Sequence, residues 1–379
     1  MISVKSFFDS LIENDVSFFT GVPDSLLKDI CAYISDNTDK KNNIISNNEG
    51  GSIAIGAGYY LATGKIPLIY FQNSGLGNTI NPLLSLADKE VYSIPMVLLI
   101  GWRGEPGIKD EPQHIKQGKI QNKLLDTLEI PYEIIDSNTH NITQVIKRNI
   151  EIAIKSKAPV AIVVRKDSFE KYQMTQKSDK KQILSREEAL SKIIELLPNE
   201  SIILSTTGML SRELFEYRVK KGEPLTDFLT VGSMGHCSQI SLGVSLFTQK
   251  LVFCFDGDGA AIMHLGSFTI IGQNANSNFV HILFNNGAHD SVGGQPTVGL
   301  NIDFCKIALA SGYKSAISLN SSEKIETLFK NIKKLDGPIF IEVIVKKGSR
   351  SNLGRPTGSP FDNKEQFIKK LRSFESTNY

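Results

Sequence analysis

The chain has 379 residues, 41% of them hydrophobic, which is enough to bury a sizeable core and fits two ordinary domains better than one. Its 42 Lys and Arg nearly balance its 40 Asp and Glu, so the formal charge of +2 gives no basic field for nucleic acid or a membrane surface. Four cysteines, Cys31, Cys237, Cys254 and Cys305, are scattered without a CxxC pair, which argues against a zinc ribbon or a disulfide framework and suits a reducing cytoplasm.

Residues 1–21, MISVKSFFDSLIENDVSFFTG, read as an amphipathic helix running into a strand, with acids interrupting the apolar residues too early for a signal peptide. No run approaches membrane-spanning length. The β-rich runs SFFTG, NIIS, PLIYFQ, PMVLLIG, YEII and PVAIVVR alternate with helical patterns such as SLLKDICAYISD and NITQVIKRNIEIAIKS. That alternation predicts a parallel sheet covered by helices on both faces. Residues 168–185 turn polar and lysine-rich and read as an exposed linker. The pattern then restarts with EEALSKIIELLP, SIILSTTG, DFLTVGSMG, KLVFCFDGDG, NFVHILFNN, KSAISL and PIFIEVIV. The expectation is an α/β protein of two parallel-sheet, three-layer domains, 1–167 and 186–379, alike in rhythm but without an obvious sequence repeat.

Several chemistry-bearing residues fall at strand ends. NNEGGSIAIGAGYYLATGK puts Glu49 after a strand and before a helix rich in Gly and Ala, where a carboxylate also suits the helix macrodipole. GWRGEPGIKDEPQH follows PMVLLIG and carries Arg103, Lys109 and His114 in a polar loop. LVFCF ends at Asp256, which leaves Gly257, Asp258 and Gly259 at the carboxyl edge, with a helix expected from about Ala261. The next strand, FVHILF, ends at Asn285 and Asn286. Ligands of open parallel sheets gather at this edge, and a carboxylate with one or two amide oxygens makes a hard donor set suited to magnesium or calcium. Glycines there let backbone approach a phosphate closely. Taken singly, GDG is often a turn with a helix cap, and NN before Gly is a common turn signal.

Taken together, GDG and NN on consecutive strands, separated by residues 260–284, resemble the signature of the thiamine diphosphate enzymes. The resemblance implies that Asp258, the Asn286 side chain and the Ala288 carbonyl hold Mg2+. It places Gly232, Ser233, Met234, Gly257, Asp258, Gly259, Ala260 and Asn286 at the cofactor, with Met234 enforcing its bent conformation. Glu49 would hydrogen-bond the aminopyrimidine ring and favour the tautomer that removes the C2 proton. In this superfamily the pyrimidine-binding domain of one subunit meets the diphosphate-binding domain of another. A homodimer or higher assembly is therefore implied, with domain 1–167 in the first role, domain 186–379 in the second, and Gly56 and Gly58 allowing close backbone packing.

The chain leaves no room for the central third domain of most thiamine-dependent 2-oxo acid decarboxylases. Over nearly its whole length, through FFTGVPDSLL, NNEGG, GAGYYLATGK, QNSGLGNTINPL, GWRGEPGIKDEPQH, TTGMLSRELF, GSMGH, NNGAHDSVGGQPT and GSRSNLGRPTGSP, it is similar to the phosphonopyruvate decarboxylase family and its sulfopyruvate-cleaving relatives. The implied reaction is non-oxidative loss of carbon dioxide from 3-phosphonopyruvate to give phosphonoacetaldehyde, within phosphonate biosynthesis; sulfopyruvate is the neighbouring alternative. Beside Glu49, the acid-base candidates are His114 and His289. Gln113 stands where the wider group often has a second histidine, which leaves the proton donor unassigned. Arg103, Lys109, Arg350 and Arg355 are the cations for the dianionic tail, the last two on a glycine-bearing segment expected to close over substrate, and each is equally readable as a solvated loop cation. His264 and His281 read as structural; Asp290 either orients His289 or caps a turn. The first strand's turn, TGVPDS, lacks the GxGxxG of a dinucleotide oxidoreductase. A non-catalytic cofactor-binding module would be expected to lose Glu49 or Asp258, and both are present.

Overall fold

Strands buried on both faces read as continuous apolar runs, and the computed structural model, which describes residues 1–175 and 184–375, forms its sheets from such runs. The chain divides into two compact units, Met1–Ser178 and Asp179–Tyr379. The first holds β1 (Phe19–Gly21), β2 (Asn43–Ile45), β3 (Leu68–Gln72), β4 (Val97–Gly101), β5 (Tyr132–Ile135) and β6 (Val160–Val164), in the sheet order β2-β1-β3-β4-β6-β5. The second holds β7 (Ile202–Ser205), β8 (Phe228–Leu229), β9 (Val252–Gly257), β10 (Phe279–Asn285), β11 (Ser315–Leu319) and β12 (Ile339–Ile344), in the order β11-β12-β10-β9-β7-β8. Every ladder is parallel. Counted from its own first strand, each sheet reads 2-1-3-4-6-5. One topology is thus built twice, without an evident sequence repeat.

Alternation along the central strands separates two cores in each unit, which is what makes three layers. On β3, Leu68 and Tyr70 enter one core while Ile69 and Phe71 enter the other. On β10, Val280, Ile282 and Phe284 face one way, and Phe279 and Leu283 the other. Helices begin where short polar side chains can cap them. Ser3 caps the helix Val4–Glu13, and Ser185 with Glu188 forms a reciprocal capping box on the helix Arg186–Leu196.

Two expectations need correction. The segment after β6 is not exposed at its start: Ser168 and Phe169 are buried, and the Phe169 ring meets Phe7 edge-on at 5.2 Å. A bridge between Ile2 and Phe169 pins it to the first unit, because an aromatic anchor outweighs the polar residues around it. Residues 176–183 of that segment lie outside the described residues. The second correction concerns the helix expected from about Ala261, which starts at Asp258, so the carboxylate sits in its first turn. Among the described residues, no helix is long and apolar enough to cross a membrane.

Candidate active site

In the second unit, the pairing of β9 with β10 sets Phe284 opposite Gly257 and so brings Asp258 beside the Asn285–Asn286 turn. Asp258 is 2% exposed and accepts hydrogen bonds from Thr297 Oγ1 and from the Asn286 backbone N–H. It pairs with no cationic side chain among the described residues, and burial pushes its carboxyl up to about 6. A buried carboxylate in that position gains from a bound cation, since only neutral donors offset its charge. Asn286 Oδ1 accepts from the Ala288 N–H at 2.9 Å, and Asn286 Nδ2 donates to Asp290 at 2.6 Å. The Asn285 amide nitrogen donates to the Gly299 carbonyl at 2.8 Å and to Glu342 at 2.7 Å, while its Oδ1 accepts from the Gly287 N–H at 3.2 Å. Asn286, whose N–H meets Asp258, and the buried Ala288 follow on the same turn, and Asn285 is also a pin between strands.

Above the start of the Asp258 helix, three of the expected residues converge. A Cβ at Gly259 would stand 2.8 Å from the His289 ring and 3.2 Å from Met234 Cε, so only glycine lets both side chains approach that backbone. The space at Gly257 is open, and Ala260 is buried behind it. Ser233, with φ of 50°, carries the Gly232–Met234 turn over this edge. These features fit a diphosphate and its metal: open backbone at a helix start, a buried carboxylate, and amide and carbonyl oxygens beside it. Burial lowers His289 to about 4, which keeps its imidazole neutral at pH 7. Asp290 does not orient that ring. Its carboxylate instead accepts from Arg186, Asn286 and the Gly348 N–H, and it opens a short 3-10 turn. His281 is fully buried between Tyr313 and Asp256, whereas His264, also read as structural, lies against Gly235 of the Met234 turn.

In the first unit, Glu49 is the first residue of the helix Glu49–Thr63, capped by Asn48, whose side chain accepts from the Gly51 N–H at 2.8 Å. Such a cap is worth about 1 kcal/mol and fixes where the helix begins. Glu49 is 6% exposed and accepts from Asn78 Nδ2 at 2.8 Å, while Gly75 packs so closely that a Cβ there would run into its side chain. His114, in the first turn of the helix Pro112–Thr127, is buried, and its Nδ1 has no hydrogen-bond partner. Burial, reinforced by the Arg103 guanidinium, lowers it to about 4.

The four expected tail cations are not equally available. Arg103 closes a two-bond fork on Asp110, with Nε donating at 2.8 Å, and Nη1 donates to Ser25 at 2.8 Å. Arg350 is held by Glu187 at 3.0 Å and by Glu216. In both cases a carboxylate already fills the planar donor face that a phosphonate would need. Lys109 and Arg355 are exposed on their loops, and Lys109 has no carboxylate partner among the described residues.

Sequence reasoning missed Thr297, Arg186, Glu213 and Asp24. Asp24 follows β1 in the VPDS turn, is fully buried, and accepts from Gln72 at 2.6 Å and the Leu26 N–H at 3.0 Å, with burial raising its carboxyl. Its place beside the β1–β3 switch point was the available signal. Thr297, Arg186 and Glu213 act through contacts far apart in sequence and leave no local pattern.

Residues 3–130 match the model of the thiamine pyrophosphate enzyme N-terminal TPP binding domain, and residues 206–343 match that of the C-terminal TPP binding domain. The chain is 32% identical to a phosphonopyruvate decarboxylase of Streptomyces viridochromogenes, covering 100% of this chain and 96% of the relative. It is 31% identical to a phosphonopyruvate decarboxylase of Streptomyces hygroscopicus, over 97% of this chain and 93% of the relative. A sulfopyruvate decarboxylase of Methanosarcina acetivorans is 28% identical, over 86% and 87% of the two chains. With both halves matched and the similarity running end to end, the chain belongs to the thiamine diphosphate-dependent decarboxylases, in the family that includes the phosphonopyruvate decarboxylases.

Proposed function

We propose that the chain converts 3-phosphonopyruvate to phosphonoacetaldehyde and carbon dioxide, using thiamine diphosphate and Mg2+, in phosphonate biosynthesis. The observation that carries this reading is the end-to-end similarity to two phosphonopyruvate decarboxylases, which exceeds in identity and coverage that to the sulfopyruvate enzyme. Thiamine diphosphate, when bound, supplies the nucleophilic carbon and the electron sink for decarboxylation. Asp258, Asn286 and the Ala288 carbonyl would hold the metal; Gly257 and Gly259 would leave room for the diphosphate, with Gly232, Ser233 and Ala260 lining the same edge. Met234 would pack against the bound cofactor. Glu49 would hydrogen-bond the aminopyrimidine ring, and His114 and His289, held neutral at pH 7 by burial, would serve as proton acceptors.

The tail contact falls first to Lys109, exposed on its loop, with Arg103, Arg350 and Arg355 the further cations on the same two segments. A phosphonate near pH 7 bears roughly −1.5 to −2 charge against one for a sulfonate, so it needs more cationic compensation. The site is completed between chains, Glu49 from one and Asp258 from its partner. Supporting this, the two units expose apolar side chains on helices that would otherwise face water: Leu61 on the Glu49 helix, and Ile240, Leu246 and Phe247 at the helix Cys237–Ser245 and just beyond it. Gly58 lies open on that face, but Gly56 packs on Ile69 of its own sheet rather than serving a partner. A cytoplasmic location suits four free cysteines.

Carbon dioxide release from phosphonopyruvate, sulfopyruvate and pyruvate, measured side by side, tests the reading. The highest kcat/KM should be for phosphonopyruvate; a preference for sulfopyruvate would overturn the substrate assignment and leave the family intact.

A further inference from the structure

Behind the Asn286 turn lies a buried ion cluster with no part in the chemistry described so far. Arg186 is 6% exposed and donates to both oxygens of Glu213, at 2.8 and 2.9 Å; Glu213 is itself 2% exposed on the helix Met209–Lys221. The remaining Arg186 Nη1 donates to Asp290 Oδ2 at 3.0 Å. That one oxygen also accepts from Asn286 Nδ2 at 2.6 Å and from the Gly348 N–H at 3.0 Å. Buried polar groups persist when paired and hydrogen-bonded, and Arg186, itself forked on Glu213, holds Asp290 Oδ2 in place together with the Gly348 N–H.

We infer that Asp290 is a positioning residue: it fixes the amide orientation of Asn286, so that Oδ1 is the atom offered to the metal, and it ties that turn to the C-terminal arm beginning at Gly348. Asp290 Oδ2 already meets two groups that can only donate, the Arg186 guanidinium and the Gly348 N–H, so it acts there as an acceptor. Asn286 must therefore turn its NH2 toward Asp290, since the flipped amide would bring two acceptors together at 2.6 Å. Oδ1 then points to the other side of the turn, where the Ala288 N–H meets it and leaves a lone pair free. The arm is held by the same two helices one step further out, with Arg350 bridging Glu187, next to Arg186, and Glu216, one turn beyond Glu213. Two parallel ion rows thus anchor the metal-binding turn and the arm. Partners that orient a metal ligand in this way commonly govern affinity nearly as much as the ligands do.

The inference rests on Asn286 being a metal ligand, so the experiment separates the two. Mg2+ affinity is measured by calorimetry at saturating thiamine diphosphate, and arm release by the rate of tryptic cleavage between residues 346 and 355. Asp290→Asn should weaken Mg2+ by about 10- to 100-fold and speed cleavage of the arm. Asn286→Ala should weaken Mg2+ while the arm stays protected, and Arg350→Met should release the arm with Mg2+ affinity nearly unchanged. The exchange variant N286D/D290N, which swaps carboxylate and amide, should recover most of the lost affinity, and it carries the test if Asp290→Asn alone does not fold. Unchanged Mg2+ affinity in Asn286→Ala would remove the ligand reading. Weak binding in Asn286→Ala beside normal binding in Asp290→Asn, or no recovery in the exchange variant, would overturn the positioning role of Asp290.

Discussion

Because both units share the strand order 2-1-3-4-6-5, their loops can be compared place by place. After the second strand of each, the first unit sets Glu49 and the second sets Met234. After the third come Asn73–Gly75 in one and the Gly257 to Gly259 run in the other; after the fourth come Arg103 to His114 and Asn286 to His289. The same edge positions carry different chemistry. The first unit fills its edge with side chains, including a buried Glu49, Asp24 and His114, and closes the Arg103 loop with Asp110. The second leaves backbone open at Gly257 and arranges oxygen donors around Asp258. Topology determines where a loop can serve a ligand, and the residues placed there determine whether it moves protons or holds an anion through a metal.

If that division is right, the deepest loss comes from the second unit. Asp258→Ala should weaken thiamine diphosphate binding by more than about 100-fold and abolish activity, because no cationic side chain can replace a lost metal bridge. Calorimetry with Mg2+ present measures it, and near-normal affinity would erase the contrast between the units. Glu49→Gln should do the opposite, retaining the cofactor while slowing exchange of its C2 proton by about 10²- to 10⁴-fold, which deuterium-quench NMR reads. Mixing these two inactive variants sharpens the comparison further. If one site draws on both units from different chains, random dimers should regain about a quarter of the wild-type sites. No recovery, with subunit exchange shown by mass spectrometry, would mean that each chain builds its site alone.

The smallest effect concerns acid stability. His114 and His289 are each lowered to about 4 by burial, so the unfolded chain takes up their protons first as pH falls below 6.5. Each histidine therefore removes stability between pH 6.5 and about 4, stability that is fully present above that window. Asp258, raised to about 6, works the other way, since its folded form binds a proton more tightly than the unfolded chain. Urea midpoints of His114→Gln and His289→Gln should thus fall less than the wild-type midpoint between pH 6.5 and 4. Equal slopes in all three would place both imidazoles in wetter surroundings than their packing indicates.

All twelve strands and both sheets were legible because buried parallel strands leave runs of Val, Ile, Leu and Phe bounded by turn residues. The positions of Glu49, Asp258 and Asn286 at the sheet edges were legible for a related reason: each follows the end of such a run, Glu49 at the start of the next helix. The pairing of charges was not. Arg103 and Arg350 look alike in sequence to a cation waiting for substrate, yet Asp110 lies seven residues from one, and Glu187 and Glu216 lie more than a hundred from the other. Sequence also placed the helix start at Ala261 because Gly and Asp favour turns, whereas Gly257 in extended geometry lets the helix begin at once with Asp258.

The crowding of Gly75 against Glu49 has a consequence for inheritance. Any codon change at position 75 that adds a side chain displaces the Glu49 carboxylate, although residue 75 has no reactive group of its own. Such alleles should lose turnover while leaving the Asp258 side intact, so in a mixed assembly with shared sites each variant chain would still complete the site of a normal chain's Glu49. A glycine that a genotype reader would pass over as a neutral spacer is therefore a position where co-expressed variants should cost only their own sites and act recessively.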